Sequence, residues 1–112
     1  MTTLLALFRR PEGGDESLAT FERSYAGSHL PLVVETPGLR SIRVQRVVQG
    51  LGPPTELVLA TTMDFDDRTA LDAGLASDAM RAAGRNLREI APGLSTLLVL
   101  ETAEELLPEG WA

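Results

Sequence analysis

Cysteine is missing from the chain altogether, which excludes disulfides, thiolate nucleophiles and cysteine-bound metals. Lysine is missing too, and all ten basic residues are arginine. Guanidinium groups keep their proton near neutral pH, so no side-chain amine is available for Schiff-base chemistry. The lone histidine cannot supply a three-histidine zinc site within one chain. No apolar run approaches the roughly 20 residues that span a bilayer. The start, M-T-T-L-L-A-L-F, lacks a positive n-region and soon meets Arg9-Arg10, so it is not read as a signal peptide. The chain is therefore expected to be soluble and cytoplasmic, with no membrane partner, no metal and no cofactor.

What is present fits one globular domain over residues 1–112, with about 103–112 as a C-terminal tail. Hydrophobic residues make up 44% and charged residues 23%, enough apolar content for one core. The formal net charge of −6 and the lack of a basic stripe argue against nucleic acid, whose binding rests on phosphate neutralisation. Arg40, Arg43 and Arg46 cluster on one predicted strand, where nearby acids can balance them.

Taken in order, Thr2 to Arg10 reads as a strand buried on both faces or nearly so, closed by P-E-G-G. Asp15 is placed as a helix cap, and Leu18, Phe21 and Tyr25 follow at helical spacing to about Ala26. Pro31 cannot donate to the carbonyl four residues back, so a kinked or separate turn is expected from about Leu30 to Glu35. T-P-G at Thr36–Gly38 is a turn, and Leu39 to Gln49 alternates as a second strand. After the G-L-G-P-P loop, Glu56 to Phe65 forms a third. It carries Leu57, Leu59, Thr61, Met63 and Phe65 on one face, and the smaller Val58, Ala60, Thr62 and Asp64 on the other. Asp66-Asp67 caps a helix to about Ala76, Ser77 caps another to about Ile90, and Ser95 to Thr102 is the last strand.

The β-α-β-β-α-β order is the ferredoxin-like pattern of the α+β class, a four-stranded antiparallel sheet with helices on one face. Several strands are nonetheless apolar on both faces, and one chain has nothing left to cover the second. A second copy is the expected cover, giving a homodimeric α+β barrel with an internal cavity. Leu106, Leu107 and Trp111 in the acidic tail are assigned to packing across that dimer.

The stretch Tyr25 to Val33, Y-A-G-S-H-L-P-L-V, holds the only tyrosine and the only histidine, four residues apart and so on one helical face. An imidazole with a pKa of about 6.5 suits proton transfer near neutrality. His29 is thus a candidate acid or base, or else a side chain that bonds a carbonyl freed by Pro31. Tyr25 either orients His29 and binds a substrate oxygen, or packs in the core with its hydroxyl at the rim. Phe8, Met63, Phe65 and Met80 either line a cavity or are plain core, and Thr62 and Arg43 can add polar contacts in the lumen. Asp64 to Asp67 is read as a helix cap, since it has too few ligands for a metal.

These residues also carry a resemblance. The first strand ending R-R-P-E-G, then F-x-x-x-Y-x-x-x-H-x-P-L-V and P-G-L-R, resembles the EthD family of dimeric α+β barrel proteins. Phe21, Tyr25, His29, Pro31, Leu32, Val33, Pro37, Gly38 and Leu39 match, and F-D-D at Phe65–Asp67 with an alanine-rich helix is similar to the family's second half. About residues 2–102 are covered.

The resemblance implies the barrel fold and a ligand cavity. The family is named for a role in ethyl tert-butyl ether degradation, where the protein accompanies an oxygenase. Related barrels include cofactor-free monooxygenases, muconolactone isomerases and polyketide cyclases, several with a first-helix histidine facing the cavity. This chain departs from the fuller isomerase sites in having no second histidine and no cysteine. The expectation is cofactor-independent acid/base chemistry, of isomerase, cyclase or monooxygenase type, on a small apolar, oxygen-bearing molecule in degradative or secondary metabolism. His29 and Tyr25 are the expected catalytic residues, and Phe8, Thr62, Phe65 and Met80 the substrate contacts. The alternative is a non-catalytic accessory or ligand-binding barrel that supports an oxygenase system.

Overall fold

β1 (Thr2–Arg9) runs through the interior of the sheet, and its alternation sets the layout. Thr2, Leu4, Ala6 and Phe8 are buried, while Thr3, Leu5, Leu7 and Arg9 are only half-buried. That period of two belongs to a strand with helices on one face and nothing on the other. The computed structural model describes residues 1–108; Trp111, assigned above to a dimer contact, lies outside them.

Helical structure follows in α1 (Asp15–Ser24), a π-helical turn (Tyr25–His29) and α2 (Leu30–Val33). β2 (Ser41–Arg46) and β3 (Leu57–Phe65) come next, then α3 (Arg68–Leu75), α4 (Asp78–Ile90) and β4 (Ser95–Glu101). The sheet order is β2-β3-β1-β4, with every pairing antiparallel. This is the ferredoxin-like arrangement expected from the element order.

Three local expectations are corrected. Asp15 is not the cap of α1: Gly14 occupies that position, at φ +81°, and Asp15 is the first helical residue, paired with Arg10. β2 is shorter than its apolar pattern, although Arg40 N–H to Asp64 and Val47 N–H to Val58 extend its pairing by one bond at each end. The third, at Pro31, is corrected only in part: a separate short helix does begin at Leu30 as expected, but it is joined to α1 through the π turn rather than by a break. In that turn the chain widens by one residue per turn, with the Leu30 N–H donating to the Tyr25 carbonyl five residues back, and Pro31 falls in the first turn of α2. Its fixed φ suits the helical turn, and its missing N–H means that the backbone bonding lapses at that one residue.

The caps of the second helical pair stand as read. Asp67 Oδ1 accepts from the Ala70 N–H at 2.8 Å, and Ser77 Oγ accepts from the Met80 N–H at 3.2 Å. Gly74 lets α3 approach the sheet. A Cβ there would lie 2.9 Å from the Phe65 ring and 3.1 Å from the Thr36 methyl. Between helices and sheet, Leu4, Phe8, Phe21, Tyr25, Leu59, Met63, Phe65 and Leu71 form the core. No helix is long and apolar enough to cross a membrane among the described residues.

The open face of the sheet is apolar over Leu5, Leu7, Val58, Leu98 and Leu100, as cross-strand register places these on the side away from the helices. Leu98 and Leu100 are 42% and 43% exposed on the edge strand. At one end of this face Asp64 accepts from Thr3 Oγ1 at 2.6 Å and Ser41 Oγ at 2.9 Å. The arginine cluster is balanced in part: Arg40 pairs with Asp66 and Arg46 with Glu22, and Arg43 has no ionic partner among the described residues.

Candidate functional site

The π turn holds Tyr25 and His29 at its two ends, and both are buried. A wide turn of this kind changes the direction in which the following side chains project, and such turns are frequent at functional sites. Here it presents His29 toward α4 and keeps Tyr25 over β1 and β3. The Tyr25 ring lies 5.0 Å from Phe8, 5.7 Å from Phe21 and 5.1 Å from His29, centroid to centroid. Four of the chain's few aromatic rings therefore form one cluster, with the imidazole at its end.

The Tyr25 hydroxyl and Thr61 Oγ1 share a buried hydrogen bond of 2.6 Å, and Thr61 is fully buried on β3. Each group therefore satisfies the other. Burial pushes the Tyr25 pKa above its ordinary 10.0, with the Thr61 bond acting the other way, so the phenol stays protonated. His29 Nδ1 is 3.2 Å from Asn86 Oδ1 on α4. Burial lowers its pKa below the ordinary 6.5, against opposing hydrogen bonds from Asn86 and the Ala83 backbone. The ring is accordingly neutral at pH 7.

A cavity of about 170 Å³ lies between α4 and the helix-side face of the sheet. Leu4, Ala6, Met63, Met80, Leu87 and Leu97 furnish much of its wall, and Tyr25 and His29 are its titratable groups among the described residues. For scale, a dry cavity of roughly 150 Å³ holds benzene. Small residues make the room: Ala83 and Gly84 are where α4 faces the space. Leu75 and Leu97, 37% and 54% exposed, lie where the cavity meets solvent.

The structure brings Phe8, Met80, Tyr25 and His29 to this cavity. Phe65 is fully buried in the same core without lining it. Thr62 points the other way, onto the open face beside Arg43, and is not brought to His29. The space beside His29 is thus inside one protomer, on the helix side of the sheet. Two partners were missed in the sequence, Thr61 and Asn86. Asparagine is a weak helix former, so Asn86 in the interior of α4 was a signal available to find it. No cluster of three or more His, Asp or Glu poised for a metal occurs among the described residues.

No family model matches the chain, and no curated protein matches it. Among solved structures, an ethyl tert-butyl ether D (EthD) family protein of Bacillus halodurans C-125 superposes with a TM-score of 0.81 at 31% identity. That alignment covers 91% of this chain and 98% of the other. The chain belongs to the EthD family. More distant structures share the fold of this EthD protein. A dimeric ferredoxin-like protein of Jannaschia sp. CCS1 matches at TM-score 0.65 and 21% identity, over 91% of this chain and 100% of its own. SnoaB, a cofactor-independent oxygenase of Streptomyces nogalater, matches at TM-score 0.63 and 22% identity, over 96% and 97%.

Proposed function

We propose that this EthD-family protein performs proton transfer on a small, mostly apolar, oxygen-bearing molecule bound beside His29, with the imidazole as general acid or base and no cofactor. One observation carries the reading: a buried, neutral imidazole forms part of the wall of an otherwise apolar cavity. With Nδ1 facing Asn86, Nε2 is the nitrogen that acts in this reading. It takes a proton from an enol or phenol O–H, or from a C–H next to a carbonyl, and returns it elsewhere on the resulting anion. Isomerisation and cyclisation need no more than this. The apolar wall strengthens electrostatic interactions inside by excluding water. Tyr25 contributes its ring, which packs beside the imidazole, while its hydroxyl is engaged by Thr61. Phe8 and Met80 are the substrate contacts in this reading, and Thr62 serves the opposite face.

The working unit in this proposal is a homodimer joined through the open sheet face, where Leu5, Leu7, Leu98 and Leu100 form the apolar contact. The description of the Jannaschia protein as dimeric supports it, as does the cofactor-independent activity named for SnoaB for the chemistry. The test is turnover of a panel of single-ring phenols and β-dicarbonyl compounds by wild type and His29→Gln. Loss of turnover with retained binding supports the reading. Binding without turnover in either protein, together with stimulation of a partner oxygenase, moves the protein to the accessory role.

A further inference from the structure

The hydrogen bonds around His29 have a direction that can be read from one end. The Ser24 carbonyl can only accept, and it accepts from Ser28 Oγ at 2.8 Å, which uses the hydroxyl proton. Ser28 Oγ is left to accept, and it does so from Asn86 Nδ2 at 3.3 Å. With its NH2 turned to Ser28, the Asn86 amide presents Oδ1 to His29 Nδ1 at 3.2 Å. An amide oxygen has no proton to give, so a hydrogen bond there requires the proton on Nδ1.

We infer that Asn86, oriented by Ser28, is a positioning residue that locks His29 in the Nδ1–H tautomer and so makes Nε2 the basic nitrogen. The inference rests on the proposed role of His29 for its functional meaning, but the tautomer itself does not depend on any substrate. The choice of amide over carboxylate matters. A carboxylate in this place would favour the imidazolium, whereas a neutral amide fixes the ring without holding it charged. The other titratable group in the cavity wall among the described residues is Tyr25, and its hydroxyl is bonded to Thr61. The competing acceptor at the ring is the Ala83 backbone, and a proton held for it on Nε2 is the outcome that the experiment below separates from the lock. The lock also explains the placement of a serine in the π turn, where its hydroxyl reaches back to Ser24.

Because His29 is the only histidine, the protein labelled with ring-¹⁵N histidine shows a single imidazole. In wild type above the titration midpoint, ¹⁵N NMR should show Nδ1 as the protonated, pyrrole-type nitrogen and Nε2 as the bare one. Asn86→Ala should move the two resonances toward the Nε2–H pattern of free imidazole. Ser28→Ala should do so partially, since the amide is then free to flip, and Asn86→Asp should raise the midpoint while retaining Nδ1–H. A wild-type ring protonated on Nε2, or resonances unmoved in Asn86→Ala, overturns the inference. A correct tautomer combined with full turnover in His29→Gln would instead leave the lock standing and sink the proposed function.

Discussion

At the scale of single residues, the Tyr25–Thr61 pair is a closed unit of two side chains that are both buried. Tyr25→Phe leaves the Thr61 hydroxyl unpaired, at a cost of roughly 1–3 kcal/mol. Thr61→Val should cost a similar amount, and the double variant less than the sum, because it removes both orphaned groups. Urea melts of the four proteins check this; strict additivity would mean that the hydroxyls do not depend on each other. His29 gives a second residue-scale expectation. Its folded-state pKa lies below the ordinary 6.5 of the unfolded chain, so between those two values the unfolded state binds more protons. Stability from this source is complete above about pH 6.5 and is lost as pH falls through that window to the folded pKa. Thermal melts from pH 8 to pH 5 should therefore show a downward step that His29→Gln lacks.

At the scale of elements, α3 sits where it does because Gly74 has no side chain. Gly74→Ala drives a methyl to within 2.9 Å of the Phe65 ring. Overpacking of this kind typically costs about 1–3 kcal/mol, which outweighs alanine's better helix propensity of about 1 kcal/mol. A higher melting temperature for Gly74→Ala would contradict the close approach. The elements themselves were largely legible in the sequence, since apolar alternation, Pro-Gly punctuation and the Asp67 and Ser77 caps are local signals. The π turn was not legible. A hydrogen bond to the fifth rather than the fourth residue leaves the same apolar spacing, and Pro31 reads as a break unless the widened turn before it is known. The Tyr25–His29 pair was visible because both residue types are unique in the chain. Asn86 and Thr61 were not, since their partners lie 57 and 36 residues away and only the fold brings them together. Thr62 fell out for the same reason: parity assigns it a face, and only the position of the helices says which face meets His29.

At the scale of the whole molecule, helices cover one side of a sheet whose other side carries Leu5, Leu7, Leu98 and Leu100. Leu98→Asp places a charge in the middle of the proposed contact and should yield a monomer by light scattering at micromolar concentration, where wild type is expected to be a dimer. A wild-type monomer would contradict the open-face argument. The dimer and the cavity are separate in this account, since the space beside His29 is lined by residues of one protomer. The proposed catalysis in turn stands or falls with one side chain. The most direct measurement is the pH dependence of kcat/KM for wild type and His29→Gln on one converted phenol or β-dicarbonyl compound. The account predicts a wild-type rate that falls on the acid side below pH 6.5, and a His29→Gln rate lower by about 10²–10⁴-fold without that limb. An unchanged rate and profile in His29→Gln would contradict it.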